Sequence, residues 1–230
     1  MNGCSTCLKQ PDHFCLEIEL EGLAMKIRRV LKCFMNFEKE EKWLNEMAQK
    51  GFALVGKDTS YGFIETEPEN AIIRIDYRTF KTKRDFIDYC TLFEDSGWKH
   101  VAGTKNSGAQ YFKKIDASGS DDIFSDVRSK AGRYQRYSHM WLTMAICMFP
   151  VFVALAMNHS IDLSAFANPK ALYYTPGLWE KTGLSFWFSF LFETPFALGR
   201  GFIWMLLPVM ILLYIGFSIK AKLLYRRAIK

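Results

Sequence analysis

Four residues near the N-terminus carry the first pattern with chemistry in it. Cys4, Cys7, His13 and Cys15 form C-x2-C-x5-H-x-C, which contains a full set of zinc ligands. The closing His-x-Cys interval is tighter than in common zinc fingers, and incidental residues are the plainer explanation. A second candidate is the pair Asp76 and Tyr77 in IRIDY, where a strand-end carboxylate beside a phenol can bind a ligand; pairing of Asp76 with Arg74 or Arg78 is the competing structural reading. His100 follows Trp98 by two residues, shares its strand face, and is of a type that titrates near neutrality. A partly buried structural histidine explains it equally simply. The acidic pairs Glu40/Glu41, Glu94/Asp95 and Asp121/Asp122 have the composition of an acid-base or metal site. Adjacent helical positions diverge by about 100°, however, so these pairs are expected on solvated faces. Phosphate-loop, dinucleotide-binding, nucleophile-elbow and HExxH patterns do not occur. The expectation is a protein with no catalytic residue and no cofactor, not an enzyme.

The elements that must position these residues follow a repeat. Asn36 is a helix N-cap before EKEEKWLNEMAQK, whose Trp43, Leu44, Met47 and Ala48 share a face, and Gly51 stops that helix. Thr82, with Asp85 three residues on, opens a second helix that aligns Phe86, Tyr89, Cys90 and Phe93 and ends at Gly97. Each helix runs into a strand, GFALVGK or GWKHVAG, and the two superimpose with Gly51 on Gly97, Phe52 on Trp98 and Val55 on Val101. A further aromatic strand follows each, at Tyr61–Thr66 and Gln110–Lys114, and AIIRIDY supplies another. Strand, helix, strand, strand thus occurs twice. Two helices on one face of a largely antiparallel sheet make an α+β sandwich of the ferredoxin-like kind over residues 25–115. Residues 116–136, rich in Ser, Gly and Asp, read as a linker, or from Asp122 as the start of a juxtamembrane helix.

The chain changes character near residue 137. Residues 1–137 carry 22 basic and 21 acidic side chains, whereas 138–230 carry 8 and 3. Met140–Met157 is an 18-residue apolar run, and Phe202–Ile219 is a second. Each is long enough, at about 1.5 Å per residue, for a bilayer core of about 30 Å. The expected membrane region is therefore 137–230, an α-helical hairpin with spans at 139–158 and 201–219. The segment 184–198, strongly aromatic and interrupted by Pro195, is expected as an interfacial or re-entrant piece; a third span turning at Gly199–Gly201 is the alternative. Arg128, Lys130, Arg133 and Arg136 precede the first span, and Lys220, Lys222, Arg226, Arg227 and Lys230 follow the second. This bias puts both termini in the cytoplasm. The near-neutral first part, with only a small patch at Lys81, Lys83 and Arg84, argues against nucleic acid as a partner.

FEKEEKWLNEMAQKGFALV, IRIDYRTF, DYCTLFEDSGWKHV and QYFKK, followed by C-terminal membrane helices, resemble the bacterial membrane-protein family called domain of unknown function 2812. The resemblance implies a multi-pass cell-membrane protein of Firmicute-type bacteria, often encoded beside a PadR-like transcriptional repressor, and it brings no active site with it. Residues 1–24 fall outside that layout. Met25 opens a natural start, MKIRRVLKCF, and residues 1–24 are expected to be a non-native extension. The expected role is a regulatory or protein-interaction domain displayed to the cytosol, with the lipid bilayer and an unidentified protein as partners. That protein is a transcriptional regulator in one reading; an accessory subunit of a membrane transport complex comes second, and a membrane-tethered enzyme third.

Overall fold

The computed structural model describes residues 26–230, so Cys4, Cys7, His13, Cys15 and the expected extension lie outside the described residues. The chain divides into two compact units, one running through Tyr137 and including Leu223–Lys230, the other Ser138–Lys222.

The first unit contains β1 (Arg28–Val30), α1 (Phe37–Gln49), β2 (Phe52–Lys57), β3 (Tyr61–Glu65), β4 (Ile73–Tyr77), α2 (Lys83–Asp95), β5 (Trp98–Ala102) and β6 (Ala109–Lys114). Local chemistry sets both helices. The Asn36 side chain accepts a hydrogen bond from the Lys39 N–H, and Thr82 accepts from the Asp85 N–H, so each N-terminus has one orphan donor satisfied. Gly51 and Gly97 then take φ of 81° and 82°. A Cβ at Gly51 would meet the Thr66 carbonyl oxygen at 2.6 Å, and one at Gly97 would meet Asp116 Cβ at 2.7 Å, so both helix exits require glycine.

The β-α-β-β unit occurs twice, and each copy builds its own antiparallel sheet. The orders are β1-β3-β2 and β4-β6-β5, with the last strand of each repeat in the centre. The likeness extends to irregularities. Register slips between Leu54 and Gly56 in one copy and between His100 and Ala102 in the other, leaving Val55 and Val101 as the bulged residues.

The strands form two sheets, where the sequence suggested one, and the outer edge of β4 explains the break. Its residues Arg74 and Asp76 pair with β6, so the polar groups of Ile73, Ile75 and Tyr77 point away from the sheet. Side chains occupy them. Asn45 Oδ1 accepts from the Ile73 N–H at 2.8 Å, and Glu41 Oε1 accepts from the Ile75 N–H at 3.1 Å. Arg133 donates to the Ile75 carbonyl at 2.7 Å, and Arg136 Nε donates to the Tyr77 carbonyl. An edge so covered has most of its outward N–H and C=O groups already engaged and offers little to another strand.

Helix α1 reaches both sheets. Its Glu40 Oε1 accepts from Tyr61 of β3 at 2.6 Å and from Tyr111 of β6 at 2.7 Å. Helix α2 covers a separate cluster of Tyr89, Trp98 and Phe112, to which Ile72, Phe80, Phe93 and Ile123 add. Ile123 belongs to the segment expected as a free linker. Lys114 pairs with Asp121 at 2.7 Å, Lys130 pairs with Asp122 at 2.7 Å, and Phe124 lies against the Arg133 guanidinium. The segment is fastened to the domain because its apolar residues complete the packing around α2 and Arg133.

Helix α3 (Val127–Met157) begins in the first unit and runs through Pro150. Helix α4 (Gly183–Ile229) holds 47 residues and passes Pro195 and Pro208. Residues 184–198 are thus continuous with the second apolar run, with neither a separate segment nor a turn at Gly199–Gly201. A proline removes one backbone hydrogen bond, and the helix continues around it. At about 1.5 Å per residue α4 is about 70 Å long. Both α3 and α4 are long and apolar enough to cross a membrane. Within the second unit, Ser138 Oγ donates to the Ser218 carbonyl at 2.9 Å and Trp141 packs on Tyr214 and Phe217. Ile161 and Ala165, from the connection between the helices, pack on Trp204 of α4. Arg200 donates to the Leu172 carbonyl at 2.6 Å and pairs with Glu193.

Arg133 offers a direct test. It is 0% exposed, pairs with Glu41, and its guanidinium lies over the rings of Phe37, Phe124 and Tyr134. Arg133→Met should lower the unfolding free energy of the first unit by about 3–5 kcal/mol in urea denaturation, because Glu41 is left as an uncompensated buried charge. The R133M/E41Q double variant should recover most of that loss.

Candidate functional site

Asp76 and Tyr77 are neighbours on β4 and therefore point to opposite sides of the sheet. Asp76 is buried on the α2 side. Its Oδ2 accepts from the Tyr89 hydroxyl at 2.8 Å, and its Oδ1 is ion-paired with Arg136. The phenol beside the carboxylate is thus Tyr89, and the pairing arginine is Arg136, from α3, in place of Arg74 or Arg78. Tyr77 packs on the other side against Phe37 and Tyr137, where burial pushes its hydroxyl up to about 12. Both residues serve the same fastening, since Arg136 bonds the side chain of one and the backbone carbonyl of the other.

His100 is not joined to that pair. Its Nε2 lies 3.0 Å from Gln110 Oε1, and its ring meets Phe86 and Phe112 edge-on. Burial holds its pKa below the usual histidine value of 6.5, so the ring is neutral at physiological pH and does not switch there. Gln110 is itself fully engaged, donating to the carbonyls of Thr104 and Arg78. Among the described residues no group of three or more His, Cys, Asp or Glu is arranged to hold a metal ion. Cys33 and Cys147 are exposed and Cys90 is half-buried.

The acidic pair expected to be solvated is buried. Glu40 and Glu41 are each 5% exposed. They do diverge around the helix, but each direction meets protein: Glu40 meets Tyr61 and Tyr111, while Glu41 meets β4 and Arg133. Burial is the main cause raising the Glu40 pKa above 4.5, and the two tyrosine hydrogen bonds oppose it. Sequence reasoning missed this site. The usable signal was a pair of strand tyrosines on inward positions, whose hydroxyls need buried acceptors.

A cavity of about 180 Å³ lies where β2 and β5 approach each other. Ala48, Ala53, Leu54, Val55, Ala71, Ile73 and Val101 form its apolar wall, and His100, Lys99, Lys113 and Glu69 add polar groups. Of the residues singled out in the sequence only His100 lines it, while Asp76 and Glu40 are engaged elsewhere by Tyr89 and Arg136 and by Tyr61 and Tyr111. The arrangement can bind.

Comparison with known proteins returns one family. The model described as "Protein of unknown function (DUF2812)" matches residues 36–146, which run from α1 through β6 to the beginning of the first apolar run. No curated protein and no solved structure matches the chain.

The Glu40 environment predicts a pH signature. A carboxyl whose pKa is raised by folding contributes its stabilisation below the unfolded value near 4.5, and that contribution is lost as pH rises through the raised value. Glu40→Gln keeps an acceptor for both tyrosines and cannot ionise. Its stability relative to wild type should increase as pH rises above 4.5, read by urea titrations at a series of pH values. Glu40→Ala should be destabilised at every pH, by about 1–3 kcal/mol for each unpaired hydroxyl.

Proposed function

Starting from the resemblance to the family of unknown function 2812, we propose that the chain is a multi-pass bacterial inner-membrane protein with both termini cytoplasmic. Its first unit is an α+β sandwich displayed to the cytosol as a regulatory or protein-interaction domain, acting with a PadR-like transcriptional regulator. The observation that carries this reading is the buried position of Arg133. The guanidinium that neutralises Glu41 in the domain core belongs to α3, the helix that continues into an apolar run able to cross a membrane. A domain whose core is completed by its own anchor is suited to passing a change in packing along that helix. Lys and Arg concentrated before the first run and after the second support the orientation. The Ser138–Ser218 and Trp141–Tyr214 contacts support a hairpin.

The second reading, an accessory subunit of a membrane transport complex, draws on α4. Trp187, Phe188, Leu191 and Phe192 stand exposed along one stripe of that helix, spaced to meet another helix. A membrane-tethered enzyme gains nothing from a site whose acids are engaged by structural partners.

Co-purification of the tagged full chain from mild detergent with the PadR-like regulator encoded nearest to it should recover both proteins. A multispanning permease as the stable companion, with no regulator, would favour the second reading. Orientation is testable in a cysteine-free background. An impermeant maleimide added to intact cells should label Ala167→Cys and spare Lys230→Cys; labelling of Lys230→Cys overturns the two-span arrangement.

A further inference from the structure

The two repeats meet at a cavity between β2 and β5. Each copy carries a β-bulge at the same place, and both bulged residues, Val55 and Val101, line the same cavity. Bulges re-aim side chains, and they collect beside functional sites. The space is kept open by three small residues, Ala48, Ala53 and Ala71, from a helix, a strand and the approach to another strand. Larger side chains at these positions would have filled a void that costs packing energy.

Charge at the cavity is unbalanced. Lys99 and Lys113 stand directly opposite each other on β5 and β6, a pairing that is unfavourable without a counter-ion. Glu69 pairs with Lys113. Lys99 is exposed at its head, and among the described residues it has no ion pair. One positive charge is therefore left beside an apolar wall. An apolar cavity of about 150 Å³ accommodates benzene. At about 180 Å³ this one takes a six-membered ring or a short aliphatic chain bearing one small polar group.

We propose that the cavity between β2 and β5 is a binding site for a small apolar monocarboxylate, with its hydrocarbon body between Val55, Val101 and the alanines and its carboxylate on Lys99. The site stands whether the domain addresses a regulator or a transport complex, since its test reads a ligand and no protein partner.

The full chain in phosphatidylcholine nanodiscs is titrated with 4-fluorobenzoate and followed by 19F NMR, with empty nanodiscs correcting for partition into lipid. Saturable broadening, reversed by unlabelled benzoate, is expected. Lys99→Met should weaken the affinity by up to about fivefold, the upper end of the range for one solvent-exposed charge pair, and Lys99→Arg should retain it. Ala71→Leu fills the cavity and should abolish binding. If that variant does not fold, the Lys99→Met and Lys99→Arg comparison decides alone. No broadening beyond the empty nanodiscs overturns the proposal. So does an affinity that is the same in Lys99→Met, Ala71→Leu and wild type.

Discussion

Helix α1 has protein on more than one side, and two adjacent carboxylates have to find hydrogen-bond donors in different places. Glu40 bridges the sheets by accepting from Tyr61 and Tyr111, whose partner strands lie in separate repeats. Glu41 turns to the edge of β4 and is neutralised by Arg133. A buried carboxylate without such partners would cost several kcal/mol. The position of α1, the separation of the sheets and the course of α3 are consequently one problem with one solution. Moving any of them strands an acid in the interior.

The edge of β4 shows how the solution propagates. Sheet edges are ordinarily protected by charge, proline or short length. Here Asn45 and Glu41 cap its amides while Arg133 and Arg136 cap its carbonyls. Donors and acceptors are matched in kind: acceptor side chains come from α1 and donor side chains from α3. The arginines also reach acidic side chains, so each fixes a carbonyl and a carboxylate together. Arginine suits this because its planar fork keeps its charge and its geometry when buried.

Much of the local structure was legible in the sequence. Asn36 and Thr82 as caps, Gly51 and Gly97 as helix exits, and the superposition of Val55 on Val101 all follow from short-range rules. Each of these depends on a few neighbouring residues. The buried acids did not yield to the same logic, because whether a helix face is solvated depends on elements 21 and 71 residues away in the cases of Tyr61 and Tyr111. Arg133 was counted with the basic residues that orient a membrane helix, and nothing in its neighbourhood separates it from Arg128, which is exposed. Asp76 was singled out for its place at a strand end, but its phenol and its arginine both come from other elements.

The spacing of Arg133 from its partners also bears on the order of events during synthesis. Glu41 is made 92 residues before the arginine that neutralises it, and Asp76 is made 60 residues before Arg136. Every strand of both sheets emerges first, yet the acid beneath β4 has no counter-charge until α3 begins to appear. Met140, which opens the first apolar run, follows Arg136 by only a few residues. Closure of the α+β core and synthesis of the first apolar run are therefore nearly simultaneous for a nascent chain. A truncated product that ends before α3 would carry every strand of both sheets but lack the arginine that neutralises Glu41.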